Sequence, residues 1–265
     1  MFRKADLDRY ARQIILPGVG ASGQARLAAA RVLVVGAGGL GAPVLLYLAA
    51  AGVGALGVVD DDTVALSNLQ RQVLYGVNDL GRPKVAAAAE RLAALNPDVK
   101  LGVFEERLSR GQARERVREY DLVMDGSDSF ATRYLVNDAC VLEGRPLVYG
   151  ALSSFEGQLS LLHHAGGPCY RCLFPQPPAP GSVPNCAEAG VLGALPGVLG
   201  SLMALEALKL LLGLGAPLSG VLLHFDGLEA ETHRVQVARN PACAVCGDAP
   251  SIRDLIDYEA FCGLS

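Results

Sequence analysis

The chain has 265 residues, of which 51% are hydrophobic and 19% are charged, and its formal net charge is −4. The hydrophobic share excludes an intrinsically disordered protein, and the mean hydropathy of +0.31 is too high for a protein that coats nucleic acid. The slight excess of acidic residues creates no general field for phosphate backbones. Any bound anion therefore needs a local site, and we expect no direct nucleic-acid partner.

Residues 32–59 contain no charged residue, which raises the question of a membrane span. Glycines interrupt this segment repeatedly, and it ends directly in three aspartates with no basic flank, so we interpret it as buried βαβ structure. A second apolar run, at 189–205, is interrupted by Pro196. The N-terminal residues carry charges of both signs and no apolar stretch, which predicts a cytoplasmic protein with no membrane partner.

Apolar spacing and turn residues predict alternating helices and strands up to residue 150. In chain order these are helices at 6–15 and 26–30, a strand at 31–35, a helix at 43–51, a strand at 56–59, helical segments at 68–75 and 84–95, a strand at 99–104, a helix at 111–119, a strand at 121–124, a helix at 133–143 and a strand at 147–149. This alternation predicts an α/β fold with a doubly wound, Rossmann-like sheet that is parallel in the N-terminal half.

The pattern changes after residue 150. The predicted elements are strands at 157–163, 220–226 and 231–238, a long helix at 190–212 and an extended loop at 175–184 that contains five prolines. These strands favour an antiparallel extension of the sheet in the C-terminal half. Because no repeat or flexible linker separates the halves, we expect a single domain over 1–265, with a nucleotide-binding half at 1–150 and a second half at 151–265.

A glycine-rich turn follows the first predicted strand and opens the next helix. Its glycines are Gly36, Gly38, Gly39 and Gly41, and Asp60 lies 19 residues after the last of them, at the end of the second strand. Strand, glycines, helix and acid together indicate a nucleotide-binding turn, in which the backbone approaches phosphate at a helix N-terminus. An ordinary glycine-rich turn is the alternative, and the motif by itself does not distinguish ATP from NAD or FAD.

Polar residues after the second and fourth predicted strands favour a triphosphate over a nicotinamide. They are Asp60, Asp62, Ser67, Asn68, Gln70, Arg71, Gln72, Lys84 and Asp128. Cations, amides and carboxylates so close in sequence suit phosphates and a metal ion, whereas a nicotinamide ring needs apolar walls. A helix N-cap is the alternative role for Asp128, and solvated helix charges are the alternative for Arg71 and Lys84.

Seven cysteines occur in a chain without a recognisable secretion signal, which argues against a disulfide framework. Cys169 and Cys172 form one CxxC pair, and Cys243 and Cys246 form another. Two such pairs exceed chance expectation and predict a zinc site with four thiolate ligands, a closed structural site that joins two distant segments. A redox-active CxxC is the alternative.

Cys186 stands apart from both pairs, after the proline-rich loop and just before a predicted helix. A thiol near a helix N-terminus is a candidate nucleophile with a lowered pKa, and a passive loop thiol is the alternative. The two remaining cysteines, Cys140 and Cys262, fit buried residues without a chemical role.

Several motifs follow one another in a fixed order along nearly the whole chain. They are Arg9-Tyr10-x-Arg12-Gln13, Val34-Val-Gly36-Ala-Gly-Gly-Leu-Gly41, Asp60-x-Asp62-x-Val64, Ser67-Asn68-Leu69-Gln70-Arg71-Gln72, Lys84, Asp128, Cys169-x-x-Cys172, Cys186-x-Glu-Ala-Gly190 and Asn240-Pro-x-Cys243-x-x-Cys246-Gly. In this series the chain resembles the MoeB/ThiF/HesA family, the bacterial relatives of ubiquitin-activating enzymes. The resemblance implies ATP-dependent adenylation of the C-terminal Gly-Gly carboxylate of a ubiquitin-like sulfur carrier protein, with release of pyrophosphate, for molybdopterin, thiamine or tRNA thiolation.

The resemblance also implies roles for individual residues. Arg71, Lys84 and a Mg²⁺ ion on Asp128 would offset phosphate charge, and Asp60 and Asp62 would hold the ribose or the metal shell. The remaining residues of the implied nucleotide site are Ser67, Asn68, Leu69, Gln70, Gln72, Ser129 and the four glycines. Arg12 would enter the site of a neighbouring subunit, which implies a homodimer. The half at 151–265 would bind the carrier and hold the zinc, and Cys186 would accept the carrier covalently, as in some relatives.

Two departures from the family pattern affect these expectations. Ser129 follows Asp128 where many relatives have Asn, and the chain ends soon after the second CxxC pair, where longer relatives carry a rhodanese-like domain. We therefore expect no C-terminal rhodanese domain and a separate sulfur donor, either a cysteine desulfurase or a rhodanese. Two other functions stay open: activation of another carboxylate, on a tRNA base or a peptide, and an NAD-dependent oxidoreductase.

Overall fold

The computed structural model describes residues 3–179, 181–182 and 190–263. One eight-stranded sheet extends through both halves of the chain, with the strand order β3-β2-β1-β4-β5-β6-β7-β8. The strands are β1 (Arg31–Val35), β2 (Ala55–Val59), β3 (Lys100–Phe104), β4 (Leu122–Asp125), β5 (Leu147–Ser153), β6 (Glu156–Leu162), β7 (Val221–Asp226) and β8 (Glu231–Gln236). Strands β1 to β5 pair in parallel and β5 to β8 pair antiparallel, which confirms the predicted fold class.

Helices pack on both faces of the sheet. They are α1 (Lys4–Ile14), α2 (Gly20–Ala29), α3 (Gly41–Ala51), α4 (Lys84–Leu95), α5 (Ala113–Arg118), α6 (Phe130–Leu142), α7 (Tyr170–Leu173), α8 (Ala194–Leu212) and α9 (Tyr258–Phe261). Because side chains alternate along a strand, Val32 and Val34 of β1 join one hydrophobic core, whereas Leu33 and Val35 join the other. Burial on both faces explains why β1 is a continuous apolar run.

Helix α8 is the one described helix that is long and apolar enough to cross a membrane by length and composition. Its residues Leu199, Met203 and Ala207 are fully buried in the first hydrophobic core. A Cβ at Gly200 would overlap the ring of Pro43, so this glycine allows α8 to approach α3 closely. Packing inside the fold therefore accounts for the buried half of α8, whereas Val198 and Leu205 on the same helix are exposed.

Some predicted boundaries were wrong. The helix predicted at 68–75 is a single 3₁₀ turn, Leu66–Asn68, followed by turns, because Asn68 Oδ1 accepts a hydrogen bond from the Ala65 N–H, 3.1 Å away, and competes with regular helix bonding. Helix α2 begins six residues before its predicted start, and α8 begins four residues after its predicted start. The residues at 20–25 are small except for Gln24 and carry no helical periodicity, so the first turns of α2 were missed.

The strand order places one switch point between β1 and β4. The chain runs from β1 outward to β2 and β3, then returns to place β4 on the other side of β1. In such open sheets the loops after the two central strands diverge, one toward each side, and leave a crevice at the carboxyl edge where ligands bind. The glycine-rich turn follows β1 and Asp128 follows β4, so topology brings these two distant segments to one crevice.

Candidate functional site

A cavity of about 380 Å³ lies at this crevice. Its walls contain most of the residues that were predicted to bind nucleotide, namely Gly36, Gly38, Gly39, Asp60, Asp62, Asn68, Arg71, Gln72, Lys84, Asp128 and Ser129. These residues come from the loops after β1, β2 and β4 and from the N-terminus of α4. The size falls within the range of small-ligand sites.

The glycine-rich turn is held tightly between β1 and α3. Gly36 has φ +88°, a conformation that favours glycine, and a Cβ at Gly41 would overlap the carbonyl oxygen of Gly36. The Ala37 N–H donates to Asp60 Oδ2 at 2.7 Å, and the Tyr75 hydroxyl donates to the Ala37 carbonyl at 2.8 Å. Asp60 therefore positions the turn through its backbone, and burial raises the pKa of this carboxyl against the opposing effect of Lys84.

The two predicted cations differ in their surroundings. Lys84 has a side chain that is 6% exposed, and its Nζ lies 2.7 Å from Asp62 Oδ2. This burial excludes a solvated helix charge for Lys84. Arg71 is half-buried and donates through Nη1 to the Ser67 carbonyl at 3.0 Å, which orders the guanidinium at the cavity wall.

Gln72 is the clearest sign of a polar ligand in this cavity. The residue is 3% exposed, and its buried Oε1 has no hydrogen-bond partner among the described residues. Its amide nitrogen lies 3.5 Å from the position that a Cβ on Gly38 would take, so Gln72 faces the glycine-rich turn. An unpaired buried amide oxygen costs about 1–3 kcal/mol, and a ligand hydroxyl, a ligand amine or an ordered water would offset that cost.

Carboxylates suited to a divalent cation line the same cavity. Asp128 is exposed at its wall, and ligand atoms of Asp60, Asp61 and Asp62 lie within 4.8 Å of one another. Oxygen donors of this kind fit Mg²⁺, which binds through one or two carboxylates together with substrate phosphates. The N-cap of α6 is Ser129, whose Oγ accepts from the Thr132 N–H at 3.4 Å, so the capping alternative for Asp128 is wrong and its carboxylate is left for a ligand.

The cavity walls do not contain every residue that was predicted. Gly41 lies beneath the turn, Leu69 packs against the first hydrophobic core, and Gln70 packs against Gly193 at the start of α8. The backbone carbonyl of Ser67 accepts a hydrogen bond from the Arg71 guanidinium. Arg12 is an exposed residue of α1 and does not line the cavity, and Cys186 lies outside the described residues.

The two CxxC pairs meet although 70 residues separate Cys172 from Cys243. The Sγ–Sγ distances are 4.0 Å for Cys169–Cys172, 3.6 Å for Cys169–Cys243 and 3.4 Å for Cys172–Cys246. Four thiolates around a tetrahedral zinc ion, with Zn–S bonds of about 2.3 Å, would lie about 3.8 Å apart. The cluster therefore fits zinc.

Two further observations favour a cation at this cluster. Hydrogen bonding from Cys169 lowers the pKa of Cys246 to about 5, and burial raises the pKa of Cys172 to about 11. The cluster thus holds a thiolate readily at Cys246, and a cation bound there would offset the cost of a second thiolate at Cys172. The Asn240 N–H also donates to Cys172 Sγ at 3.3 Å, a contact that is typical around metal thiolates.

Comparison with known proteins agrees with this geometry. Residues 10–245 match the model of the ThiF family. The chain belongs to the ThiF family. It is 61% identical over 266 residues to the sulfur carrier protein adenylyltransferase of Thermus thermophilus, with 98% of each protein covered. It is 53% identical to the SAMP-activating enzyme E1 of Haloferax volcanii, covering 98% of this chain and 96% of that protein.

Longer relatives and solved structures extend the comparison. The chain is 55% identical to the adenylyltransferase and sulfurtransferase MOCS3 of Mus musculus, with 97% of this chain covered, but it spans 56% of that protein. Among solved structures, E. coli MccB in complex with MccA-N7isoASN superposes with a TM-score of 0.81 at 24% identity, covering 91% of this chain and 75% of that one. This likeness shows the fold that the ThiF-family chain shares with MccB.

Glu106, Arg107 and Arg133 are among the residues of the cavity wall that the sequence did not predict. Arg133 lies one helical turn after the N-cap Ser129. Had the helix been predicted to start at 130 and not at 133, Arg133 would have been placed on the same helix face as the N-cap beside the cavity. Glu106 and Arg107 follow β3 in an irregular segment and carried no pattern that distinguished them from surface charges.

A buried ion pair joins the cysteine cluster to α6. Arg171, which lies between Cys169 and Cys172, donates from Nε and Nη2 to the Asp138 carboxylate at 2.8 Å, and both side chains are almost fully buried. The Tyr258 hydroxyl donates to the same carboxylate at 2.9 Å. This network ties the first CxxC pair to the helix that carries Arg133.

Proposed function

We propose that this ThiF-family chain adenylates the C-terminal carboxylate of a ubiquitin-like sulfur carrier protein that ends in Gly-Gly, with ATP as the co-substrate and pyrophosphate as the leaving group. The observation that carries the proposal is the meeting of the glycine-rich turn, Arg71, Lys84 and Asp128 around one cavity at the carboxyl edge of the sheet. Identity of 61% to the Thermus thermophilus sulfur carrier protein adenylyltransferase supports the choice of substrate.

The residues of the cavity meet the electrostatic demand of this reaction. A carboxylate oxygen attacks the α-phosphorus of ATP, and the bond to the bridging oxygen of pyrophosphate breaks, so two anions must approach each other. Arg71 and Lys84 offset the phosphate charge, and the amides of the glycine-rich turn donate to phosphate oxygens. Gln72 orients the bound groups through its unpaired amide oxygen.

Mg²⁺ bound at Asp128 would neutralise part of the triphosphate charge when the nucleotide is present. Asp60 and Asp62 have other partners: Asp60 holds the Ala37 backbone, and Asp62 pairs with Lys84. We infer that Asp128 is the main protein ligand of the cation and that the other two carboxylates shape the site around it.

Zinc at the four cysteines has a structural role in this proposal. The cluster is closed on all sides by thiolates and leaves no open coordination position for a substrate. It lies apart from the nucleotide cavity, whose walls contain none of the four cysteines.

Partners follow from the same proposal. The exposed Arg12 on α1 is free to enter the cavity of a second copy, which supports a homodimer as the working unit. The single domain over 1–265 would receive sulfur from a separate donor, a cysteine desulfurase or a rhodanese, and would act in the cytoplasm. An NAD-dependent oxidoreductase is disfavoured, because a nicotinamide ring needs apolar walls and the walls of this cavity contain Arg71, Lys84 and Gln72.

Pyrophosphate exchange into ATP, measured with and without a recombinant Gly-Gly carrier, tests the proposal. We expect carrier-dependent exchange in the wild type and its loss in Asp128→Ala, because the cation that offsets phosphate charge is lost. Glu115→Ala, which removes an exposed carboxylate of α5 away from the cavity, should retain full exchange. Pyrophosphate exchange that persists in Asp128→Ala would refute the role assigned to Asp128. Exchange that depends on a peptide or a tRNA and not on the carrier would show that the carrier is not the substrate.

A further inference from the structure

Asp125, the last residue of β4, is a buried acid to which the proposed function assigns no role. Its side chain is fully buried, and burial raises the pKa of its carboxyl group against the opposing attraction of Arg133. Burying a carboxylate costs free energy unless hydrogen bonds and an opposite charge offset that cost. Asp125 lies three residues before Asp128, so its contacts bear on the residue to which we assign Mg²⁺.

The hydrogen bonds of Asp125 hold Ser127. Asp125 Oδ1 accepts from the Ser127 N–H at 3.0 Å and from the Ser127 hydroxyl at 2.7 Å. On the other side of Ser127, its carbonyl accepts from Arg133 Nη2 at 3.2 Å. The N–H, the hydroxyl and the carbonyl of Ser127 are therefore all bonded to these two side chains. The backbone of Ser127 cannot rotate without breaking at least one of these bonds.

Arg133 also offsets the burial of Asp125. The buried guanidinium and the Asp125 carboxylate attract each other, and Tyr170 forms a hydrogen bond with the Arg133 side chain. This attraction compensates for Asp125 Oδ2, which has no hydrogen-bond partner among the described residues. Asp125 and Arg133 are thus a pair of opposite buried charges that holds Ser127 from both sides.

The residues around this turn are fixed as well. The Gly126 N–H donates to the Val35 carbonyl at 2.9 Å, and a Cβ on Gly36 would lie 3.0 Å from the Gly126 carbonyl oxygen. The turn therefore packs directly against the glycine-rich turn. On its other side, Asp128 is followed by Ser129, the N-cap of α6. Asp128 thus lies between two held residues, and it lines the nucleotide cavity.

A fixed backbone matters for a carboxylate that binds Mg²⁺. This cation requires nearly octahedral coordination with oxygen distances of about 2.0–2.1 Å, so it tolerates little displacement of a ligand. A turn that is already ordered loses no further conformational entropy when the cation binds. Loss of the groups that orient a metal ligand typically lowers metal affinity by about 10–100-fold.

We propose that Asp125 and Arg133 are positioning residues that hold Ser127 so that the Asp128 carboxylate meets the cation of the Mg²⁺–nucleotide complex. This inference rests on the proposed function and specifies how the cation end of the same site is built. Asp125 does not line the nucleotide cavity, so it acts through Asp128 and not by contact with the nucleotide.

Equilibrium binding of the α,β-methylene analogue of ATP, with Mg²⁺ and with excess EDTA, tests this assignment. The ratio of the two dissociation constants measures how much the cation strengthens nucleotide binding. We expect a ratio of at least about tenfold in the wild type and of about threefold or less in Asp128→Ala and in Asp125→Ala. The affinity measured in EDTA should stay within about threefold of wild type in both variants. Asp125→Asn, which keeps an oxygen acceptor for Ser127, should recover part of the ratio.

A double variant separates positioning from a general loss of structure. Because Asp125 acts through Asp128, Asp125→Ala combined with Asp128→Ala should bind the Mg²⁺ complex within about threefold of Asp128→Ala alone. If Asp125→Ala does not fold, Ser127→Ala provides the test, since it removes only the hydroxyl bond to Asp125. It should lower the ratio by about threefold and leave the affinity in EDTA unchanged, and an unchanged ratio would overturn the inference.

The matched control is Asp138→Ala. Asp138 is also fully buried and is also paired with a buried arginine, Arg171, but it does not line the nucleotide cavity. Asp138→Ala should lose stability in thermal unfolding and keep the full ratio when binding is measured below its melting temperature.

The possible failures can be told apart. A full ratio in Asp125→Ala, or equal weakening of binding with and without Mg²⁺, would overturn the inference and show that Asp125 only supports the fold. A wild-type ratio near one, or a full ratio in Asp128→Ala, would refute the assignment of the cation to Asp128 and this inference with it. Absence of any binding of the analogue to the wild type would refute the proposed function itself.

Discussion

Neutralising Asp138 should destabilise this protein far more than neutralising an exposed acid. The Asp138 carboxylate is fully buried and accepts hydrogen bonds from Arg171, from the Tyr258 hydroxyl at 2.9 Å and from Asn137 Nδ2 at 2.9 Å. Asp138→Asn leaves the Arg171 guanidinium, whose side chain is 2% exposed, without its counter-charge. Breaking one partner of a buried pair costs about 3–5 kcal/mol.

The size of the expected shift in melting temperature follows from chain length. An unfolding entropy of about 2.1 cal/mol/K per residue gives about 0.6 kcal/mol per kelvin for a chain of this length, so the loss corresponds to about 5–9 °C. The control is Glu90→Gln, which breaks an ion pair with Arg82 whose side chains are 71% and 40% exposed. That exposed pair should contribute less than about 1 kcal/mol, or less than about 2 °C.

Thermal unfolding followed by circular dichroism, with urea titration at 25 °C, measures both variants. Arg171→Met added to Asp138→Asn should recover part of the stability lost in Asp138→Asn. It removes the buried cation that the single variant leaves unpaired, and the introduced amide oxygen still accepts from Tyr258 and Asn137. A loss below about 1 kcal/mol in Asp138→Asn would refute the argument. A double variant as unstable as the sum of the single ones would show that the pair is not the origin of the loss.

Three further predictions concern the cysteines and one acidic side chain. Metal analysis should find one zinc per chain on Cys169, Cys172, Cys243 and Cys246, and chelation should lower the melting temperature, whereas a metal-free preparation of full stability would contradict this. Cys186→Ala should keep pyrophosphate exchange within a few-fold of wild type and lose any covalent carrier adduct on non-reducing gels. Adenylation needs no thiol, whereas capture of the acyl group does. Loss of the exchange in this variant would show that Cys186 is needed for adenylation itself. Hydrogen bonds from Arg118, and then from Arg114, lower the pKa of Glu143 from 4.5 to about 2. The pKa of Glu143 is lower in the folded state than in the unfolded state, so its charge stabilises the fold above pH 4.5, and Glu143→Gln should cost at most about 1 kcal/mol at pH 7. The difference in melting temperature between this variant and the wild type should shrink as the pH falls from 4.5 toward 2. A difference that does not depend on pH would show that the charge is not responsible.

The sequence by itself determined the layout of the fold. Apolar runs and helical spacing predicted every strand of the sheet to within a few residues. The central strands β1, β2 and β4 were the clearest, because a strand buried on both faces must be continuously apolar, whereas β8 at the edge is exposed along its length. The change in rhythm after residue 150 predicted the switch from parallel to antiparallel pairing. The glycine turn and the two CxxC pairs were also readable, since each depends on the spacing of a few neighbouring residues.

Only the tertiary structure decided which predicted residues meet and what each one contacts. Asp60 holds the Ala37 backbone, and Gly41 packs beneath the turn, although both carried the same sequence signal as residues of the cavity wall. Arg133 and its unpaired Nε were invisible in the sequence, because an arginine on a helix is usually solvated. The spacing of neighbouring residues can be taken directly from the sequence. Whether a charged side chain is buried, and which partners it has, depends on segments far apart in sequence that come together only when the sheet and its helices pack.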